Sequence, residues 1–235
     1  MTKIIALSDT HTLHSHINIP EADIIIHAGD YSGRGTEVEF HSFINWFSSL
    51  DQCKHKVLIS GNHDRAIEKH PELRYVIPKN IHYLHNTSCE VLGIKIWGSP
   101  FTRYFFDWSF NGLDHPPGEL NKYYGGPGSS AHPDKDHPLL DDVYSEIPLD
   151  TDIVVCHNPA YGILDANEDG VLCGSHSFLK HIRRVKPKLV IHGHIHAARG
   201  NKVVDGVHYY NVCSIERDSM DSKSYPTIVT KIQYN

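Results

Sequence analysis

IIIHAGDYSG, residues 24–33, runs three isoleucines into a histidine, an alanine, a glycine and a carboxylate. A short apolar run of β-branched residues that stops at a glycine turn reads as a strand buried on both faces of a sheet. A strand that only fills a core has no use for Asp30 at its tip. A strand that holds a charged ligand there does, and Gly29 would let the turn expose the carboxylate.

The same pattern recurs along the chain. KIIAL (3–7) precedes Ser8 and Asp9, and KVLIS (56–60) precedes Gly61 and Asn62. TDIVVC (151–156) precedes His157, and PKLVIH (187–192) precedes Gly193 and His194. Between these strands, TEVEFHSFINWFSSL (36–50) places Val38, Phe43, Ile44, Phe47 and Leu50 near helical spacing behind Thr36 as N-cap. SHSFLKHIRRV (175–185) reads as a second helix, stopped before Pro187. CEVLGIKIWG (89–98) and NKVVDGVHYYNV (201–212) read as strand pairs, the latter turning at Asp205-Gly206, and PTIVTKIQY (226–234) as a closing strand. Strands alternating with helices, then hairpins, predict an α/β fold of two packed mixed β-sheets flanked by helices.

A chain of 235 residues is within reach of one large domain, here taken as 1–235. The stretch from Asp114 to Pro138, rich in proline, glycine and histidine and without a sustained period, reads as a long loop insertion, functional or simply solvated. With 40% apolar and 21% charged residues, composition is that of an ordinary globular protein. No apolar run approaches the roughly 20 residues that span a bilayer. Lys3 leads into an apolar stretch too short for a secretory leader, so a cytoplasmic protein without membrane contact is expected. Five scattered cysteines without a CxxC indicate neither a disulfide framework nor a zinc knuckle. A formal charge of −6 argues against sequence-independent binding of nucleic acid.

Histidine is the anomaly: 20 of them, against 22 lysines and arginines together, so position has to decide which carry chemistry. The strand ends collect Asp9, His11, Asp30, Asn62, His63, Asp64, His157, His194 and His196. In α/β sheets ligands bind beyond the carboxyl ends of strands, so these side chains converge. Carboxylate and imidazole without thiolate suit Mn, Fe, Zn or Co. The donors are too many for one tetrahedral ion. Two ions sharing a carboxylate, Asp30, account for the number. Two metals about 3.5–4 Å apart are suited to in-line displacement at phosphorus.

The ordered set D-x-H (Asp9, His11), G-D (Gly29, Asp30), G-N-H-D (Gly61 to Asp64), H (His157) and G-H-x-H (Gly193 to His196) resembles the calcineurin-like metallophosphoesterase superfamily. SDTH, IIHAGD, NPAYGILD and RVKPKLVIHGHIHAARG resemble more closely its metallophosphoesterase-domain-containing group and bacterial relatives. The resemblance implies a four-layer αββα sandwich. It implies that Asp9, His11, Asp30 and His196 hold one divalent or mixed-valence ion, and Asp30, Asn62, His157 and His194 the other. His63 would be no ligand but the general acid over the leaving group, binding phosphate together with Asn62, with Asp64 holding its ring. The implied reaction is hydrolysis of a small phosphate ester, first a phosphodiester such as a cyclic nucleotide, by attack of a metal-bridging hydroxide. Metal coordination makes such a nucleophile accessible at neutral pH. A phosphomonoesterase acting on small metabolites or phosphoproteins is the alternative enzyme. A metal-binding scaffold without catalysis is the alternative of another class, opposed by the complete ligand set with His63. Some members of the group lack the first histidine of the last motif and are weak enzymes; His194 is kept here. Cys156 and Asn158 around His157 depart from the small residues of relatives and would alter the pocket wall.

Other residues are read more plainly. His27 is assigned to core packing, and His192 to packing ahead of support for the site. His14 and His16 follow the first motif within reach of substrate, although an ordinary role is preferred. Arg65 reads as a surface helix charge ahead of a phosphate contact. FTRYFFDWSF (101–110) reads as a hydrophobic loop packed on the domain ahead of a nucleobase platform, and Asn211 and Cys213 as pocket-edge residues without chemical roles.

Overall fold

The structure is a computed structural model that describes residues 1–114, 137–215 and 229–234. The first sheet holds four parallel strands, β1 (Thr2–Leu7), β2 (Ala22–Ala28), β3 (Cys53–Ile59) and β4 (Ile81–Tyr83). The closing strand β13 (Thr230–Tyr234) pairs antiparallel with β1, giving the order β13-β1-β2-β3-β4. The second sheet has the order β11-β12-β10-β9-β6-β5. Its parallel centre is β6 (Ile94–Ser99), β9 (Ile153–Cys156), β10 (Leu189–His192) and β12 (Val207–Asn211). Hairpins to β5 (Thr87–Val91) and β11 (Gly200–Val204) close its edges. At the β11–β12 turn Asp205 and Gly206 both take positive φ (53° and 82°), as a two-residue type I′ turn demands. A short parallel pair, β7 (Thr102–Arg103) and β8 (Asn111–Gly112), stands apart from both sheets.

Strand alternation sorts the core into three layers. Ile4, Ala6, Ile24, Ile26, Val57 and Ile59 of the first sheet pack against Ile96, Ile153, Val155 and Ile191 of the second. The opposite face of the first sheet, with Ile5, Leu7, Ile25 and Leu58, packs on α1 (Glu37–Ser48) and α2 (Arg65–Lys69) through Phe40, Phe43, Phe47 and Ile67. The outer face of the second sheet, with Trp97, Val154 and Val190, packs on α3 (Leu140–Ser145) and α4 (His176–Val185) through Val143, Tyr144, Phe178 and Ile182. Helix, sheet, sheet, helix is the four-layer arrangement, with both sheets covered on both faces.

Thr36 caps α1 in a capping box: its hydroxyl accepts from the Glu39 amide at 3.2 Å and the Glu39 carboxylate accepts from the Thr36 amide at 2.9 Å. The apolar stripe of α1 differs from the sequence reading at one position. Phe40 is buried and Val38 is 78% exposed. Counting back from Phe43, three residues reach the same face, whereas five residues rotate about 140° away from it. Most of the expected insertion, residues 115–136, lies outside the described residues. Asp114 at its start is buried and accepts from the Ser175 hydroxyl and the amides of His176 and Ser177, at 2.6–3.0 Å, at the N-terminus of α4.

Candidate metal centre

The carboxyl ends of both sheets meet at one place, and the loops there are stitched to one another. Ser8, just past β1, bridges to Cys213 past β12: the Ser8 amide donates to Val212 O at 3.1 Å and the Ser214 amide to Ser8 O at 2.9 Å. The β1 and β2 loops pair next, with Asp9 N donating to Gly29 O at 2.9 Å and His11 N to Asp30 O at 3.1 Å. Gly193 N donates to His157 O at 3.3 Å, joining the ends of β9 and β10. Gly29 takes φ 93°, the left-handed turn expected of it. Gly61 is needed for space: a Cβ there would lie 2.7 Å from the His157 ring and collide with Asp30 Oδ1.

Two donor clusters result. Asp9, His11 and His196 form one, with His196 Nε2 at 3.3 Å from both Asp9 Oδ1 and His11 Nε2. Asp30, His157 and His194 form the other, with His157 Nε2 at 3.3 Å from Asp30 Oδ2 and 3.1 Å from Asn62 Oδ1. A third grouping, His11, Asp30 and His63, joins them. The far nitrogen of three rings is tied to backbone carbonyls: His11 Nδ1 to Ser32 O at 3.1 Å, His157 Nδ1 to Ala28 O at 2.7 Å, His63 Nδ1 to Gly33 O at 2.8 Å. Such bonds fix the tautomer and leave Nε2 as the atom presented inward, the usual setting of a metal-ligating imidazole.

Residues 2–198 match the calcineurin-like phosphoesterase family. The chain belongs to that family. It is 28% identical to metallophosphoesterase domain-containing protein 1 of Homo sapiens, over 91% of this chain and 67% of that protein. A UPF0046 protein of Caenorhabditis elegans is 30% identical over 84% of this chain and 70% of its own length. Among solved structures, the phosphopantetheinyl hydrolase of Mycobacterium tuberculosis superposes with a TM-score of 0.60 at 15% identity, covering 99% of this chain and 96% of that one. The family is one of metal-dependent phosphoesterases, and the His/Asp clusters are groups that can hold metal. Among the described residues no helix is long and apolar enough to cross a membrane.

The electrostatics of this calcineurin-like site fit a cation. His157 Nε2 faces two acceptor oxygens while Nδ1 already serves Ala28, so the pocket calls for positive charge at Nε2. Burial opposes a charged His157, but the Asp30 carboxylate outweighs it and raises the ring to about 9. Burial likewise opposes ionisation of Asp9 and Asp30; His196 beside the first and His157 beside the second hold both carboxyls below the usual range. His194, pushed down to about 3 by burial and then by His157, is neutral and ready to ligate. Without metal, then, His157 carries a proton at neutral pH that ligation must displace. Manganese binding near pH 7.5 is expected to release about one proton from this ring, the release fading as pH passes about 9. Calorimetric titrations in buffers of different ionisation enthalpy measure it. A release that stays constant over that range would show that His157 is neutral beforehand.

Asp64, Cys213 and part of the 101–110 segment stand elsewhere than the sequence reading put them; His14, His27 and His192 pack as expected. Asp64 does not hold the His63 ring. It is buried and accepts from the backbone amides of Asp30, Ser32 and Gly61, each within 2.9 Å, so it shapes the loop that carries Asp30, while Gly33 O holds the ring. Cys213 is no bystander: its thiol donates to Asp9 Oδ2 at 3.1 Å, beside the Ser8 hydroxyl on the same oxygen and the His194 amide at 3.0 Å. His14 turns into the core between Phe43 and Trp46, while His16 is exposed. His27 packs edge-on to Phe43 with Nε2 3.1 Å from Thr10 Oγ1, and burial lowers it to about 3. His192 is buried with Nδ1 3.3 Å from Gly193 O. Asn158 accepts from the Arg103 amide at 3.1 Å, and Cys156 is buried 3.4 Å from the Tyr144 hydroxyl. The 101–110 segment packs through Phe101 and Phe110, but Phe105 and Phe106 are 58% and 62% exposed, and Trp108 lies on the His63 ring. Trp108 was missed; only the density of aromatic residues in that segment hinted at it.

Proposed function

We propose that the chain is a dinuclear-metal phosphoesterase acting on small phosphodiesters, cyclic nucleotides among them. The observation that supports it most is the pair of adjoining donor clusters linked through His11 and Asp30. In this reading Asp9, His11, Asp30 and His196 hold one ion, and Asp30, Asn62, His157 and His194 the other. Manganese, iron, zinc or cobalt suits such nitrogen and oxygen donors. Bound, the ions would acidify water and offset charge on the phosphoryl oxygens.

The chain's own residues supply the rest. His63 keeps its Nδ1 proton on Gly33 O, so its Nε2, 4.0 Å from Asp30 Oδ2, is the atom turned to substrate. A second proton, carried on Nε2, is the one it would donate to the leaving oxygen, while the Nδ1 proton stays on Gly33 O. Asn62 and His63 contact the phosphoryl group, and Asp64 keeps the loop of Asp30 in place. The diester comes first because the chain resembles the metallophosphoesterase-domain-containing group.

Metal-free protein reconstituted with manganese is expected to approach two equivalents by elemental analysis and to hydrolyse diesters ahead of monoesters. Full activity at one equivalent sinks the two-ion reading. A preference for monoesters makes the chain a phosphomonoesterase, and two equivalents without turnover on either class make it a scaffold.

A further inference from the structure

The loop between β7 and β8, residues 104–110, is fastened from two directions. From within, buried Asn111 donates through Nδ2 to the carbonyls of Phe106 at 2.8 Å and Trp108 at 2.9 Å, and accepts through Oδ1 from Phe105 N at 3.2 Å. From the α2 side, Ser109 N donates to Asn62 O at 3.1 Å and Phe110 N to Glu68 Oε1 at 2.6 Å. Arg65, half-buried and not a free surface charge, donates to Asp107 O and lies over the Trp108 ring at 5.7 Å. The indole is thereby set against the His63 ring, centroids 4.2 Å apart at 50°. His11 meets the same ring edge-on at 4.6 Å, and Gly33 O holds its Nδ1.

One hydrogen bond at Nδ1 fixes one atom of an imidazole but not its plane. The plane is set by what packs on the faces. We propose that Trp108 is a positioning residue, which holds the His63 ring so that Nε2 delivers its proton along one direction. It acts through His63 and not by contact with substrate. The proposal rests on the reading of His63 as general acid. A displacement of about 1 Å in a reacting group can cost about 10²-fold, so a ring left to rock loses rate, not affinity.

Trp108→Ala is expected to lower kcat on an alkyl phosphodiester by about 10- to 100-fold with KM nearly unchanged, and to change turnover of a nitrophenyl diester little. Trp108→Phe, which still covers the ring, should keep most of the rate and serves where the alanine variant is unstable. In a His63→Ala background the same substitution should cost nothing more. A readout independent of turnover is the ring signal of His63 in protein with labelled histidine, assigned by its loss in His63→Ala. An indole ring lying against the imidazole shifts that signal, and Trp108→Ala should move it. The proposal is overturned by additive losses in the double variant, by a rise in KM with kcat intact, or by an unmoved ring signal. Failure of the general-acid reading shows separately, as equal losses on both esters in His63→Ala alone.

Discussion

Asp30→Asn is expected to abolish measurable turnover and to leave both metal positions underloaded, while His27→Gln, three residues upstream, keeps most of its activity. Asp30 is 2% exposed and fully used. Its Oδ1 accepts from the His63 amide at 2.8 Å, and its Oδ2 lies 3.3 Å from His157 Nε2 and 4.0 Å from His63 Nε2. An amide of the same shape can keep one of these contacts but not the negative charge that, in the proposed two-ion reading, both ions would share. Losing an outer partner of a ligand typically costs about 10- to 100-fold in metal affinity, and a shared ligand should cost more. His27 points the other way along β2, into the aromatic cluster of α1, where its ring meets Phe43 at 4.7 Å. Glutamine there disturbs packing and the contact to Thr10, so its cost should appear in Tm. Elemental analysis, kcat and thermal melts on both variants check this. Equal loss of turnover in two well-folded proteins would mean that His27, too, faces the metals.

The fold was legible because the strands end where the chemistry begins. β2 runs from Ala22 to Ala28 and stops one residue before the left-handed Gly29, and β3, β9 and β10 stop just short of the residues that turn to the centre. Buried strands of this kind announce themselves by unbroken apolar runs, and a polar residue behind such a run stands out. Elements too short to show a period did not announce themselves. β4 has three residues, α2 five and α3 six, and each is placed by tertiary contacts.

Two features of the site had no local signature. Neighbours in the Gly61 to Asp64 turn part company, so the His63 ring faces His11 and Asp30 at the centre while Asp64 sinks to 1% exposure and gathers backbone amides. Motif spelling cannot distinguish a carboxylate that orients a ring from one that orients a loop. The second is backbone strain. Asp9, His11, Asp30 and His194 all have positive φ, at 54°, 38°, 57° and 69°. Each such residue costs about 1–2 kcal/mol relative to ordinary geometry, although aspartate and histidine are among the non-glycine residues found there more often than most. The bonds between the loops, Asp9 N to Gly29 O, His11 N to Asp30 O and His194 N to Asp9, hold these residues there and bring four side chains into the two adjoining clusters.

His63→Ala carries the sharpest expectation, because its size depends on the ester. An alkoxide leaving group is a strong base and needs its proton in the transition state; a nitrophenolate leaves without one. General acid catalysis contributes about 10²- to 10⁴-fold. His63→Ala should therefore slow a cyclic nucleotide or alkyl diester by about that factor and a nitrophenyl diester far less, with both metals retained. His157→Ala, by contrast, removes a buried ring that touches Asp30 and Asn62, so it should impair both esters together with metal occupancy. The competing assignment is visible in the same geometry: His11, Asp30 and His63 form a cluster of their own, in which His63 would itself be a ligand. If His63→Ala empties a metal position, that assignment holds and the general acid lies elsewhere. If metal stays and both esters slow equally, His63 binds phosphate and does not donate a proton. Only a loss confined to poor leaving groups, at full metal occupancy, identifies the inward Nε2 of His63 as the proton donor.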